Sequence, residues 1–215
     1  MTISVKFLKL SKKQRQKIFL HIFLILFLVQ LWGCQSKITN LDSKGKDIIC
    51  FGDSITKGAG ASEGNDYPTL LSQKLNMQVI NAGVNGNTTQ DALKRIDRDV
   101  LQYNLRLVII EFSGNDFLQG IPKQETFDNL DRMVAMIQQK QAMVVLAEVA
   151  AGHFGDEYLN GFRQIANNRR ALLIPNIMED LFSNPSLMSD EIHPNDAGYR
   201  LIADRIYKEI EPLLK

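Results

Sequence analysis

From Asp47 onward the chain keeps one rhythm: a short apolar run, a turn rich in small residues, then a longer segment of helical periodicity. The apolar runs fall at residues 48–51, 78–81, 107–111, 143–146 and 171–174. Each is too short for a helix and of the length expected of a buried strand. The segments between and after them, at 66–76, 88–102, 126–141, 156–168 and 195–213, carry apolar residues three and four apart. Leu130, Met133, Val134 and Ile137 form one such stripe, and Leu201, Ile202, Ile206 and Ile210 another. Strands separated by helices of this length require right-handed crossovers, hence a parallel sheet covered on both faces. The expected fold class is therefore α/β: a three-layer α/β/α sandwich with a central parallel sheet of about five strands. No repeat, low-complexity stretch or linker interrupts residues 47–215, so they are expected to form one domain.

In open sheets of this kind ligands bind at the carboxyl edge of the strands. The loops leaving the first three strands meet there. The first is Gly52-Asp53-Ser54, the second Asn81-Ala82-Gly83-Val84-Asn85-Gly86-Asn87-Thr88-Thr89, the third Ser113-Gly114-Asn115-Asp116. Any one of them reads equally well as ordinary turn chemistry. Three after consecutive strands imply more. Ser54 stands where a nucleophile can sit. Gly86, just before a helix, can present a bare backbone N–H, and Asn115, expected at a solvent-facing loop edge, a side-chain amide. With the Ser54 N–H these are three donors, the set that an oxyanion requires.

A serine nucleophile needs a base. His153 lies in Gly152-His153-Phe154 and reads as a loop residue near the pocket. His193 lies in Asp190-Glu191-Ile192-His193-Pro194. A carboxylate three residues before an imidazole can fold back onto its ring and fix the tautomer. The pair could instead cap the last helix, but Asn195 is the better cap.

Phe51-Gly52-Asp53-Ser54, Gly86 within Val84-Asn85-Gly86-Asn87-Thr88, Gly114-Asn115-Asp116 and Asp190-x-x-His193-Pro194 resemble the four ordered blocks of the SGNH (GDSL-type) hydrolases. The resemblance runs from about residue 48 to the C-terminus. It is greatest to the bacterial periplasmic arylesterase and thioesterase I/lysophospholipase L1 group. Ile55 stands where the family's name has Leu. The resemblance implies a flavodoxin-like sandwich and a serine esterase acting on carboxylic esters or thioesters. It implies Ser54 as nucleophile, His193 as base and Asp190 as its partner. Ser54, Gly86 and Asn115 are the implied oxyanion hole. Short loops imply an open site without a lid, with Leu118, Ile121, Phe154 and Ile192 as candidate walls. No cofactor is expected. No metal is expected either, since within residues 47–215 two separated histidines and a lone buried Cys50 make no ligand cluster.

Residues 1–33 read as a segment to be removed. Lys6, Lys9, Lys12, Lys13, Arg15 and Lys17 precede an apolar stretch over residues 18–31, the pattern of a secretory signal. It ends in Leu31-Trp32-Gly33-Cys34, which resembles a bacterial lipobox, with Trp32 as a departure. Cys34 is the expected lipidation site and residues 34–46 the expected tether. The expected location is the bacterial cell envelope, facing the periplasm or the exterior, with the membrane reached through the lipid. The whole chain has 25 basic and 24 acidic residues. Without the six leader charges, 19 basic residues face 24 acidic ones, a net of −5. That balance excludes a nucleic-acid partner of the basic-face type.

The expected partners are thus a small ester or thioester, lipids included, and a membrane. A monomer is favoured. Two other functions use the same residues. One is a carbohydrate O-acetylesterase acting on envelope glycans. The other is a non-catalytic envelope-binding lipoprotein, against which the full set Ser54, Asn115, Asp190 and His193 argues.

Overall fold

The computed structural model describes residues 38–149 and 156–215. The leader, Cys34 and the start of the expected tether lie outside the described residues, as do His153 and Phe154. Five strands, β1 (Asp47–Gly52), β2 (Val79–Gly83), β3 (Leu105–Glu111), β4 (Met143–Ala147) and β5 (Leu172–Ile174), form one sheet in the order β2-β1-β3-β4-β5. Every pairing is parallel.

Successive side chains of a strand point to opposite faces, and the sheet has a core on each. Ile48, Cys50, Leu107, Ile109 and Val145 pack under α2 (Tyr67–Leu75) and α7 (Asp196–Ile210). Ile49, Phe51, Val108, Ile110 and Val144 pack under α3 (Thr89–Ile96), α5 (Lys123–Gln139) and α6 (Asp156–Arg169). This is the expected three-layer sandwich.

Capping chemistry sets the helix starts. Asp66 accepts from the Thr69 N–H at 3.0 Å with Pro68 in the first turn, and Thr88 and Asp91 form a reciprocal capping box. Asn195 caps α7 by accepting from the N–H groups of Ala197 and Gly198, so Asp190 and His193 are not needed there.

Boundaries differ from the sequence reading in places. The helix expected over residues 88–102 is α-helical only to Ile96 and then widens into a π-turn, Asp97–Leu101. Two short helices were not anticipated: α1 (Ser54–Lys57) and α4 (Gly114–Leu118). At four and five residues they are too short to show a period.

Strand register brings the site together. Gly52 at the end of β1 pairs with Gly83 of β2 on one side and Glu111 of β3 on the other. The three central loops therefore leave the sheet side by side. Glycine is required here by close approach. A β-carbon at Gly52 would lie 1.9 Å from Thr56 Oγ1, and one at Gly83 would lie 2.2 Å from the Lys57 nitrogen.

Candidate active site

The chain leaves β1 through Asp53, whose Oδ1 accepts the Ile55 N–H at 3.0 Å and caps α1. Ser54 is the first residue of that helix, where a backbone N–H has no intrahelical acceptor. Its Oγ lies 3.1 Å from His193 Nε2. His193 Nδ1 lies 2.8 Å from Asp190 Oδ2 and 3.1 Å from Oδ1. The same Oδ1 accepts the N–H groups of Ile192 at 2.8 Å and His193 at 2.7 Å. The imidazole, followed by these two amides, holds the Asp190 carboxyl down at about 2. Asp190 is thus an anion at any ordinary pH although its side chain is 56% exposed. The loop is pinned at its base by Ser189 N–H to His193 O at 2.8 Å, a Met188–Pro194 bridge, and Asn195 N–H to Leu187 O at 2.9 Å.

Gly86 has φ of +74°, in the left-handed region that favours glycine. Among the described residues its N–H meets no acceptor. Asn115, in the first turn of α4, donates from Nδ2 to Asp53 Oδ2 at 3.0 Å and to Asn87 O at 3.1 Å. The amide therefore sits between the first and second loops, and both of its hydrogens are engaged. The sequence reading put Asn115 at a solvent-facing loop edge. It is in fact half-buried and bonded on two sides.

Behind this surface lies a buried acidic layer. Asp53 is 3% exposed, and Glu111 and Asp116 are fully buried. Asp116 accepts from the Thr89 N–H at 2.9 Å and from Thr126 Oγ1 at 3.1 Å, which ties α4 to α3 and α5. Burial, above all, pushes the Asp53 carboxyl up to about 6. Burial and then the neighbouring Asp53 charge push Glu111 well above the usual carboxylate range. Arg95, nearly buried, lies 4.4 Å above the Phe51 ring and donates to Gly52 O, Ala82 O and Asn87 Oδ1 at 2.7–2.9 Å. It laces the ends of β1 and β2 to the Gly86 loop. Glu111, Asp53 and Arg95 were missed as site supports. The signal was there: an acid closing an otherwise apolar central strand.

A largely apolar cavity of about 230 Å³ opens beside Ser54. Leu118 and Ile192 line it, joined by Phe117, Val149, Met178 and Phe182. Ile121 does not line it. The chain turns at Gly120, φ +69°, and the Ile121 N–H bonds back to Asp116 O at 2.9 Å, beyond the end of α4. Among the described residues no three His, Cys, Asp or Glu side chains are grouped as a metal site needs.

Comparison with known proteins agrees with this geometry. The model of the GDSL-like Lipase/Acylhydrolase family matches residues 50–201. Thioesterase 1/protease 1/lysophospholipase L1 of Escherichia coli (strain K12) is 30% identical over 175 residues, covering 78% of this chain and 84% of that protein. An arylesterase of Vibrio mimicus is 26% identical over 191 residues, covering 84% and 94%. The crystal structure of the psychrotrophic esterase EstA from Pseudoalteromonas sp., inhibited by monoethylphosphonate, superposes with a TM-score of 0.71 at 30% identity, covering 79% of this chain and 98% of that one. A sheet whose central loops carry Ser54, Gly86 and Asn115, matched by a family model across most of its length, means that the chain belongs to the GDSL-like lipase/acylhydrolase family and is an ester-hydrolysing enzyme.

Proposed function

We propose that the enzyme hydrolyses carboxylic esters or thioesters through a Ser54–His193–Asp190 triad. The observation that carries this reading is the continuous chain Ser54 Oγ, His193 Nε2, His193 Nδ1, Asp190 at 3.1 and 2.8 Å. The ionised Asp190 keeps a proton on Nδ1 and leaves Nε2 free to accept. His193 takes the Ser54 proton as Oγ attacks the acyl carbonyl. The carbonyl oxygen becomes an anion held by the Ser54 N–H, the Gly86 N–H and the Asn115 amide. In the resting enzyme both Asn115 hydrogens are engaged, so the oxyanion takes over a share of one of them. His193 then returns the proton to the leaving group, an acyl-Ser54 ester forms, and water attacks it by the same route in reverse.

The apolar cavity favours acyl chains longer than acetyl. Each buried methylene contributes about 0.8 kcal/mol, roughly fourfold in kcat/KM by the conversion of about 1.4 kcal/mol per tenfold. A p-nitrophenyl ester series should therefore rise from C2 until the cavity is full. A maximum at acetate favours the glycan O-acetylesterase reading instead. Labelling by a fluorophosphonate tests the nucleophile: wild type should be labelled and Ser54→Ala should not. Equal labelling of both sinks the triad.

We further propose that the chain is exported and lipidated at Cys34, on the strength of the basic and apolar leader and Leu31-Trp32-Gly33-Cys34. Cys34→Ser should abolish fatty-acid incorporation. Unchanged incorporation rejects the anchor.

A further inference from the structure

The buried carboxyl of Glu111 has no part in the proton transfers above, yet it touches the nucleophile's turn more closely than any other side chain of β3. Its Oε2 accepts from the Asp53 N–H at 3.3 Å, the Thr56 N–H at 3.2 Å and Thr56 Oγ1 at 2.7 Å. Those two amides flank Ser54 on either side. One oxygen thus gathers the neighbouring amide hydrogens inward and leaves the Ser54 N–H and Oγ on the outer side of the turn. Thr56 Oγ1 is braced in its turn by Tyr67 Oη at 2.8 Å. A residue at position 52 other than glycine would put its β-carbon 2.6 Å from the same oxygen. The clamp therefore fits only this backbone.

Glu111 Oε1 meets no donor among the described residues. The Glu111 and Asp53 carboxyls are neighbours, and two such groups can bond only if one of them holds a proton. Burial and the Asp53 charge both favour the neutral form of Glu111, and Oε1 is the oxygen left to carry the proton. Asp53 in turn accepts from Asn115. A single side chain beneath the sheet edge thereby reaches both the nucleophile's turn and the Asn115 amide.

We infer that Glu111 is a positioning residue, a buried acid that aims Ser54 through the Asp53 and Thr56 amides and holds Asn115 through Asp53. This rests on Ser54 being the nucleophile. Glutamine is the close mimic, with one oxygen to accept the three bonds and an N–H to replace the acid's proton. Alanine keeps neither. The test measures kcat and KM on p-nitrophenyl butyrate, the rate of fluorophosphonate labelling, and melting curves, for wild type, Glu111→Gln and Glu111→Ala.

Glu111→Gln should stay within about fivefold of wild-type kcat. Glu111→Ala should lose about 100-fold, as a misplacement near 1 Å costs elsewhere. KM should change less than threefold, and labelling should slow in parallel with kcat. If Glu111→Ala does not fold, Thr56→Val removes the 2.7 Å bond and the Tyr67 Oη contact while leaving both amide bonds to Glu111, and should still lower kcat about tenfold at constant KM. A folded Glu111→Ala or Thr56→Val enzyme with wild-type kcat overturns the inference, because a merely structural role lowers the melting temperature alone. A Glu111→Gln enzyme as slow as Glu111→Ala overturns the neutral clamp. A wild-type enzyme that turns over butyrate but is not labelled at Ser54 overturns the nucleophile assignment and this inference with it.

Discussion

Replacing Asn115 with alanine separates two jobs proposed for one amide. The first is catalytic. A donor aimed at a developing oxyanion is worth roughly 10²–10³ in kcat, about 3–4 kcal/mol, and KM should hardly move, because the bond strengthens only in the transition state. The second is structural. Nδ2 donates to Asp53 Oδ2, and Asp53 is 3% exposed. Removing one partner of a buried acceptor costs about 1–3 kcal/mol. For a domain of this size each kcal/mol moves the melting temperature by roughly 2–4 °C. Asn115→Ala should therefore lose about 3–10 °C as well as the rate. The loss should shrink at pH 5, where Asp53 takes a proton more readily and needs the amide less. Steady-state kinetics on p-nitrophenyl butyrate, with calorimetry at pH 5 and pH 7.5, measures both. An Asn115→Ala enzyme of undiminished kcat refutes the oxyanion role. A full rate loss without any thermal loss refutes the Asp53 contact as a stabilising bond.

Stability should also vary with pH in a defined window. Asp53 is raised to about 6 in the folded state against about 4 unfolded, and Glu111 is raised too. The folded chain then binds more protons, so stability falls as pH rises from about 4 through 6, by an amount on the order of 2–3 kcal/mol for Asp53. Asp190, lowered to about 2, acts in the opposite sense and at lower pH: its contribution is complete above about 4 and is lost as pH falls toward 2. Urea titrations across pH 3–7 should show a maximum near pH 4–5, and a curve still rising between pH 4 and 6 contradicts the assignment. Ser113 adopts φ +127° with its Oγ buried and without a hydrogen-bond partner among the described residues. Ser113→Gly should therefore stabilise by about 1 kcal/mol at unchanged kcat, and a lowered melting temperature argues against strain there. Asp190→Ala should slow turnover less than His193→Ala does, because the half-exposed site lets water accept the Nδ1–H hydrogen bond in place of the carboxylate. Equal losses would show the carboxylate to be indispensable.

The layers of the fold were legible because burial on both faces of a parallel sheet demands continuous apolar runs, and residues 48–51, 107–111 and 143–146 carry them. The turns bearing Ser54, Gly86 and Asn115 were legible because turns at the carboxyl edge need small residues, and the Asp190–His193 contact because a three-residue spacing lets the carboxylate fold back to the ring. Side-chain reach was not. Glu111 read as the polar end of a strand, and only the register that sets it opposite Gly52 brings its oxygen under Ser54. The Asn115 amide read as exposed because nothing local indicates that Asp53, 62 residues earlier, accepts from it. Ile121 read as a pocket wall because the turn at Gly120 has no hydrophobic signature.

The proposed base and its carboxylate ride on the loop that leads into the last helix, 139 residues after the proposed nucleophile. Synthesis runs from the amino terminus, so Ser54 and every oxyanion donor emerge well before His193. On the proposed triad, a chain cut between Arg169 and Ser189 carries the serine turn with nothing to deprotonate it. Hydrolysis should then begin only when α7 docks on the sheet and carries the imidazole to Ser54. Ester turnover would be a readout of completed folding, silent in such fragments and in nascent chains. It should appear during refolding no earlier than the burial of Tyr199, Ile202 and Ile206 against β1 and β3.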